Sequence, residues 1–321
     1  MAKDFTQLQW DAKLENDVKT LVQLAIQEDL GRQQDWTTVI LVPRESRCRA
    51  AVVTRQDGVL AGVDSPRIAL SEIGADAQWQ PLCKDGQSIS AGSTVGNLVG
   101  SARDILTAER TVLNILCRLS GVASLTWKYC DQTVGTGANI YDTRKTTAGW
   151  RWLEKYAVRC GGGRNHRMGL NAAIMIKDNH LALMRSQADE PSLPMTRQAV
   201  RTVRSFLKGI PAEEVEAHGI DTSMLIEVEV DSLEQLESVL EASPDIILLD
   251  NMDPSQLRQA VSMRNRSTCA AELEASGGVS LTSTKEIAAT GVERISVGAL
   301  THSAPILDLG LDWELESDSE I

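Results

Sequence analysis

Leu14, Val18, Leu21, Val22, Ala25 and Ile26 share one side of a 3.6-residue repeat, so a helix is predicted over Leu14–Leu30, with Gly31 as its left-handed stop. Ala50–Thr54 and Val59–Val63 read as strands on either side of a hairpin turn at Asp57-Gly58. Helical spacing returns over Ile105–Leu119, so the first 120 residues read as α+β. After Gly121 the rhythm changes. Short apolar runs recur at Ala138–Tyr141, Ala173–Ile176, Met224–Val230, Asp245–Leu249, Ala270–Ala275 and Ile295–Val297. Most of them end in a polar residue or a glycine. From Glu229 to Asp250, to Ser276 and to Gly298 the steps are 21, 26 and 22 residues, the length of one strand plus one helix.

Helix starts mark the intervals between these runs. Ser232-x-x-Gln235 and Ser283-x-x-Glu286 have the form of capping boxes, and Asp253-Pro254 supplies a cap and a first-turn proline. Strand–helix alternation with functional groups at the strand ends predicts a β/α barrel whose site lies at that face. A doubly wound open sheet is the structural rival. Two segments read as peripheral. Arg185–Asp221 holds a polar loop with Pro191 and Pro194, a helix over Arg197–Lys208 and an acidic surface turn at Ala212–Glu216; Trp313–Ile321 reads as an acidic solvated tail.

Composition narrows the class. The 321 residues carry a net charge of −12, and 42% are hydrophobic, enough for a sizeable core. No apolar run is long enough to cross a membrane, and the N-terminus lacks the apolar stretch of a signal peptide. Six scattered cysteines and four dispersed histidines predict free thiols in a reducing cytoplasm and no zinc site.

Charge then singles out one stretch. Between Ile140 and His180 eight Lys and Arg face three Asp and Glu, a net +5 in an acidic chain. The cations lie in tight strings: Asp142-Thr143-Arg144-Lys145-Thr146, Gly161-Gly162-Gly163-Arg164-Asn165-His166-Arg167 and Lys177-Asp178-Asn179-His180. Arg forks and Lys point charges so arranged suit a small polyanion; a nucleic acid calls for a basic patch spread over a face. Crowded cations repel, by about 4 kcal/mol for unit charges ~4 Å apart at an effective dielectric near 20, and an anionic ligand relieves this. The bland alternative is that Lys177 pairs with Asp178 or Glu227. The triple glycine is read as letting the chain approach a ligand closely. Glu227 and Glu229 share one face of their strand, and Asp250 ends the next one. Two of these three acids can hold Mg²⁺ or balance the cations. Ser276-Gly277-Gly278 and the Gly298–Ser303 turn follow the last two strands, where barrels usually seat phosphate.

A family resemblance rests on these strings together. Ala108-Glu109-Arg110-Thr111-x-x-Asn114, Asp142–Thr147, Lys155-Tyr156-Ala157-Val158, Gly161–Arg167, Ile176–His180, Glu227–Val230, Leu249–Met252, Glu274–Gly278 and Ser296–Ala304 resemble quinolinate phosphoribosyltransferases, the carboxylating nicotinate-nucleotide pyrophosphorylases. The resemblance implies an α/β class with an N-terminal α/β sandwich, residues 1–120 completed by 300–321, packed on an incomplete β/α (TIM-like) barrel over 121–299. It implies a pentosyltransferase of NAD biosynthesis that takes quinolinate and phosphoribosyl pyrophosphate to nicotinate mononucleotide, pyrophosphate and CO₂ with Mg²⁺. Arg110, Arg144, Lys145, His166, Arg167 and Lys177 would bind quinolinate, with Lys145 touching both substrates. Glu229 and Asp250 would face the ribose and Mg²⁺, directly or through water. Ser276, Gly277, Gly278, Gly298 and His302 would seat phosphate, and Lys145, Lys177, Glu229 and Asp250 would carry the catalysis. The implied assembly is a cytoplasmic homodimer, with Arg110 reaching the neighbouring subunit's site and no nucleic-acid or membrane partner. The chain departs from the family pattern at Gly31–Asp35 and at Thr146–Arg151, and its Leu181–Met224 segment is longer than usual. The alternatives are a related phosphoribosyltransferase acting on another anionic base, a Schiff-base lyase of the same barrel class, and a non-catalytic ligand-binding homologue.

Overall fold

The Asp11 side chain accepts the Leu14 amide, and the chain then turns helical, with Leu14, Val18 and Val22 on the buried stripe and Gly31 at φ +58° as the stop. The structure, a computed structural model, describes residues 4–185 and 195–315. Its first elements are α1 (Ala12–Leu30), α2 (Trp36–Leu41), β1 (Arg47–Thr54), β2 (Gly58–Val59), α3 (Ser65–Ile73), β3 (Ala77–Pro81), β4 (Ser88–Ile89), β5 (Thr94–Ser101) and α4 (Ala102–Asp131). There follow β6 (Asn139–Tyr141), α5 (Arg151–Cys160), β7 (Ile174–Ile176), α6 (Asp178–Arg185), α7 (Met195–Gly209), α8 (Ala212–His218) and β8 (Ile226–Val230). The last are α9 (Leu233–Ala242), β9 (Ile246–Asp250), α10 (Pro254–Arg266), β10 (Glu272–Ser276), α11 (Leu281–Ala288), β11 (Arg294–Ser296), α12 (Ala299–His302) and β12 (Leu309–Leu315).

The chain divides into two compact units. A sandwich unit comprises Gln7–Lys128, Lys145–Gly163 and the chain from Gly298 onward; a barrel unit comprises residues 4–6, Tyr129–Arg144 and Arg164–Val297. Lys145–Gly163, with α5, belongs to the sandwich unit, and the N-terminal Asp4 and Phe5 belong to the barrel unit.

In the sandwich unit four antiparallel strands run in the order β12-β1-β5-β3. Val52, Leu98, Ile105, Leu116 and Leu119 are fully buried there. Three expectations change. The Asp57-Gly58 turn makes no hairpin: β1 lies between β12 and β5, whereas β2 pairs with β4 and Asp57 accepts the Ala91 amide at 2.9 Å. The helix read as Ile105–Leu119 continues to Asp131. The supposed tail is a strand as far as Leu315, because Ala50 is paired with Trp313 by a register that no local pattern reveals; residues 316–321 lie outside those described.

In the barrel unit six parallel strands run in the order β6-β11-β10-β9-β8-β7. From β7 to β11 each strand neighbours the next in sequence, and β6 pairs with β11, which is ring order. The β6–β7 seam is unpaired among the described residues. There Arg164 bridges Tyr141, its amide donating to Ile140 and its carbonyl accepting from Asp142. The predicted ring is thus an incomplete barrel rather than a doubly wound sheet. Asp253 caps α10 with a full capping box. The last box is formed by Ser280 and Ser283, not Ser283 and Glu286, because the helix starts at Leu281 directly after the glycine turn. The acidic turn at Ala212–Glu216 is helix α8, with no buried residue. The Pro191–Pro194 loop lies outside the described residues.

Candidate active site

Asp142 follows β6 and is fully buried. Its carboxylate accepts the His166 amide at 2.9 Å and the Asn165 side-chain amide at 2.7 Å, which pins the Asn165–Arg167 turn beside the strand. The His166 ring points into the barrel interior, stacked on Phe5 with ring centroids 4.3 Å apart. Its Nε2 lies 3.2 Å from Glu227 and 3.5 Å from Glu274, and both carboxylates are wholly buried. Burial pushes Glu227 up; at Glu274 burial pulls upward too, but His166 outweighs it and holds this carboxylate low. Burial would also lower the imidazole, yet the two acids raise it to about 10. The Arg167 amide aims at Nδ1 from 2.8 Å, which requires a lone pair on that nitrogen. The trio thus holds one proton more than a neutral imidazole with two carboxylates. Glu227 Oε2 and both Glu274 oxygens lack a hydrogen bond of good geometry. The ligand atoms of these three residues lie within 4.8 Å of one another, but the shared proton already lowers their charge without an ion.

One layer outward the side chains are less buried. Lys177 at the end of β7 pairs with Glu229 on β8, not with Asp178 or Glu227. Glu229 lies two residues beyond Glu227 on the same face of the strand, 16% exposed against none for Glu227. Arg167 is buried, donating to Ala173 O at 3.3 Å and to Met175 Sδ at 3.4 Å. Burial lowers its pKa, Glu227 opposes this, and Arg144 lowers it further by like charge. Arg144 Nε is buried without a hydrogen-bond partner. The repulsion expected of the basic strings is therefore present between these two guanidinium groups.

Asp250 ends β9 half-buried, accepts the Asn251 side-chain amide at 2.8 Å and stands in register with Ser276 of β10. Gly277 has φ +91°, and a methyl there would lie 2.2 Å from Asn251 Oδ1, so only glycine fits this turn. Gly277 and Gly278 are exposed. Glu229 and Asp250, two carboxylates at the ends of neighbouring strands, fit the one or two that Mg²⁺ takes alongside water and phosphate oxygens.

The sandwich unit holds the remaining predicted residues. Lys145 is exposed, and its carbonyl accepts the Thr301 hydroxyl at 2.7 Å. Gly298 lies beside it: a methyl there would sit 3.1 Å from both Lys145 Cδ and His302 Nε2. His302 is exposed, with Nδ1 2.6 Å from Ser303 Oγ. Arg110 is 72% exposed, 3.3 Å from Glu109, on a depression also lined by Asn114, Arg118, Trp150 and Asp308. The triple glycine serves packing rather than ligand approach. A methyl on Gly161 would meet Ala123 O at 2.3 Å, and one on Gly163 would meet Thr126 and Val158 at 2.7 Å. Arg164 is tied to Asp4 at 3.2 Å. The sequence assigns no role of their own to Phe5, Asp142 and Glu274. The one available signal was an acid opening an otherwise basic string at Asp142.

Comparison with known proteins identifies the family. Residues 35–120 match the N-terminal domain, and residues 122–312 the C-terminal domain, of quinolinate phosphoribosyl transferase. A nicotinate-nucleotide pyrophosphorylase [carboxylating] of Mycobacterium leprae is 42% identical over 293 residues, covering 91% of this chain and 95% of that protein. A chloroplastic one of Arabidopsis thaliana is 35% identical over 320 residues, covering 95% and 85%. The solved nicotinate-nucleotide pyrophosphorylase of Francisella tularensis superposes with a TM-score of 0.82 at 32% identity, covering 98% of this chain and all of that one. This chain belongs to the quinolinate phosphoribosyl transferase family.

Proposed function

We propose that this chain transfers the phosphoribosyl group of phosphoribosyl pyrophosphate to quinolinate and decarboxylates the product, giving nicotinate mononucleotide, pyrophosphate and CO₂ in NAD biosynthesis. The carrying observation is the grouping in one unit of buried Arg167, Arg144 with its Nε buried and unpartnered, and Lys177 at a strand end, cations that repel one another. A dianionic pyridine relieves that repulsion, and a neutral base does not. We assign Arg144, Arg167 and Lys177 to the quinolinate carboxylates. Ser276, Gly277, Gly278, Gly298 and His302 are assigned to phosphate oxygens, and Lys145 to both substrates. His166 contributes from the barrel interior.

The ring nitrogen attacks the anomeric carbon as the bond to pyrophosphate breaks, so positive charge builds on the ribose and negative charge on the leaving group. Lys145 answers the second charge, and Glu229 and Asp250 the first. Mg²⁺, held by Glu229 and Asp250 directly or through water, would neutralise the pyrophosphate. The alkylated nitrogen then stabilises the electron pair left when the adjacent carboxylate departs as CO₂. A proton delivered to that carbon, from Lys177 or water, completes the reaction. Arg110, exposed and bound only to its helical neighbour Glu109 among the contacts described, fits a group donated to a second subunit's site in a homodimer. No helix among the described residues is long and apolar enough to cross a membrane. A product assay with quinolinate, phosphoribosyl pyrophosphate and Mg²⁺ tests the reading. CO₂ and nicotinate mononucleotide are expected with quinolinate, and no CO₂ with nicotinate. Tight quinolinate binding without product would leave a binding protein instead.

A further inference from the structure

Within the sandwich unit, one partly buried ion pair joins the two loops that carry Lys145 and the Gly298–His302 turn. Arg118, on α4, donates from Nε at 3.2 Å and from Nη2 at 2.6 Å to Glu154 Oε1 on α5. Its Nη1 donates to Ala304 O at 2.9 Å, and its Nη2 also reaches Thr301 O, so one guanidinium closes the open carbonyl end of α12. Glu154 is wholly buried, and its oxygens also accept the Thr147 amide at 3.0 Å and the Thr147 hydroxyl at 2.8 Å. Thr301 in turn holds the Lys145 carbonyl, and the Leu307 amide donates to Cys117 O on α4 at 2.9 Å. All these bonds converge on two loops and none serves a sheet.

We propose that Arg118 and Glu154 are positioning residues that hold Lys145 in a fixed relation to the Gly298–His302 turn, so that both meet the phosphate-bearing co-substrate. The idea rests on the function assigned above. A planar fork with several donors in fixed directions does what a lysine point charge cannot, since it must satisfy one carboxylate and two carbonyls together. Neither residue touches a reacting atom, so the effect of removing them appears as lost alignment.

The test uses the full chain and the variants Arg118→Ala, Arg118→Lys and Glu154→Gln. Arg118→Ala is expected to lower kcat/KM for phosphoribosyl pyrophosphate about 100-fold, with lysine a poor replacement, while quinolinate affinity changes less than about threefold. Added guanidinium ion should restore at least about tenfold of the loss, which no general unfolding would allow. Backbone hydrogen exchange supplies an arm independent of turnover: in each variant the Lys145–Thr147 and Gly298–Thr301 amides should exchange faster together. Inactivity of the wild-type chain would sink the assigned function and leave the exchange arm to judge the latch. Unchanged exchange in either loop, or a loss of activity matched by loss of fold and not rescued, would overturn the proposal. If Arg118→Ala does not fold, Glu154→Gln decides by the same readouts.

Discussion

Glu227 and Glu229 lie two residues apart on one face of β8, yet they keep different company. Glu227 is wholly buried against His166, with Glu274 across the imidazole and Phe5 stacked on the ring. Glu229 is partly exposed and paired with Lys177, itself 41% exposed. The inner layer is closed on itself and shares a proton. The outer layer keeps cations that a ligand can reach, and Arg144 and Arg167 repel one another there. Depth along a strand, rather than residue type, separates a structural charge from one available to substrate.

The comparison can be broken most directly at His166. Replacing it with alanine leaves Glu227 and Glu274 facing each other around a void, and is expected to remove about 3–5 kcal/mol of folding stability. Urea unfolding at neutral pH measures this, and a loss under about 1 kcal/mol would mean the inner layer is not structural. Lys177→Ala should do the opposite: kcat/KM for quinolinate falls about 100-fold, near 2.7 kcal/mol, while stability changes by less than about 1 kcal/mol. Steady-state kinetics beside a thermal melt separates the two layers. Phe5→Leu is milder. It keeps most of the apolar volume but loses the ring contact, so about 1 kcal/mol of stability should go with little change in turnover.

Acid and base sharpen the same contrast. Above the ordinary histidine value of 6.5 the unfolded chain leaves His166 neutral and both acids ionised. The folded trio keeps one proton more, until it is lost near pH 10. The folded state then binds more protons than the unfolded, so stability should fall as pH rises from about 6.5 towards 10. At the other end Glu274, held low by His166, contributes stability that is present above 4.5 and lost as the pH drops through its lowered value. Chemical unfolding across this range should show both flanks, and the alkaline one should shrink in Glu227→Gln. A flat profile from pH 7 to 10 would remove the shared proton.

Much of the barrel was legible because its signals are local. Apolar runs ending at Tyr141, Ile176, Val230 and Leu249 are strands that finish within a residue of those points, and Asp253 caps α10 as its sequence suggested. The errors fall where a distant partner overrides a local cue. Asp57-Gly58 has the residues of a hairpin, but β1 finds β5 and β12 instead. Gly161 and Gly163 looked like room for a ligand, but α4 and α5 residues fill that space.

The strings of Arg, Lys, Asp and Gly at strand ends determined by themselves that the chain handles a small polyanion and belongs to a β/α class, since spacing and charge are properties of the chain alone. Which charges face each other was decided only by the fold. Asp142 turns His166 inward, β8 sets Glu227 a layer below Glu229, and Arg118 gathers loops whose Lys145 and Thr301 are 156 residues apart in sequence. The physical reason is that a charge's role depends on its neighbours and its access to water, and strand register and helix packing, not sequence proximity, assign both.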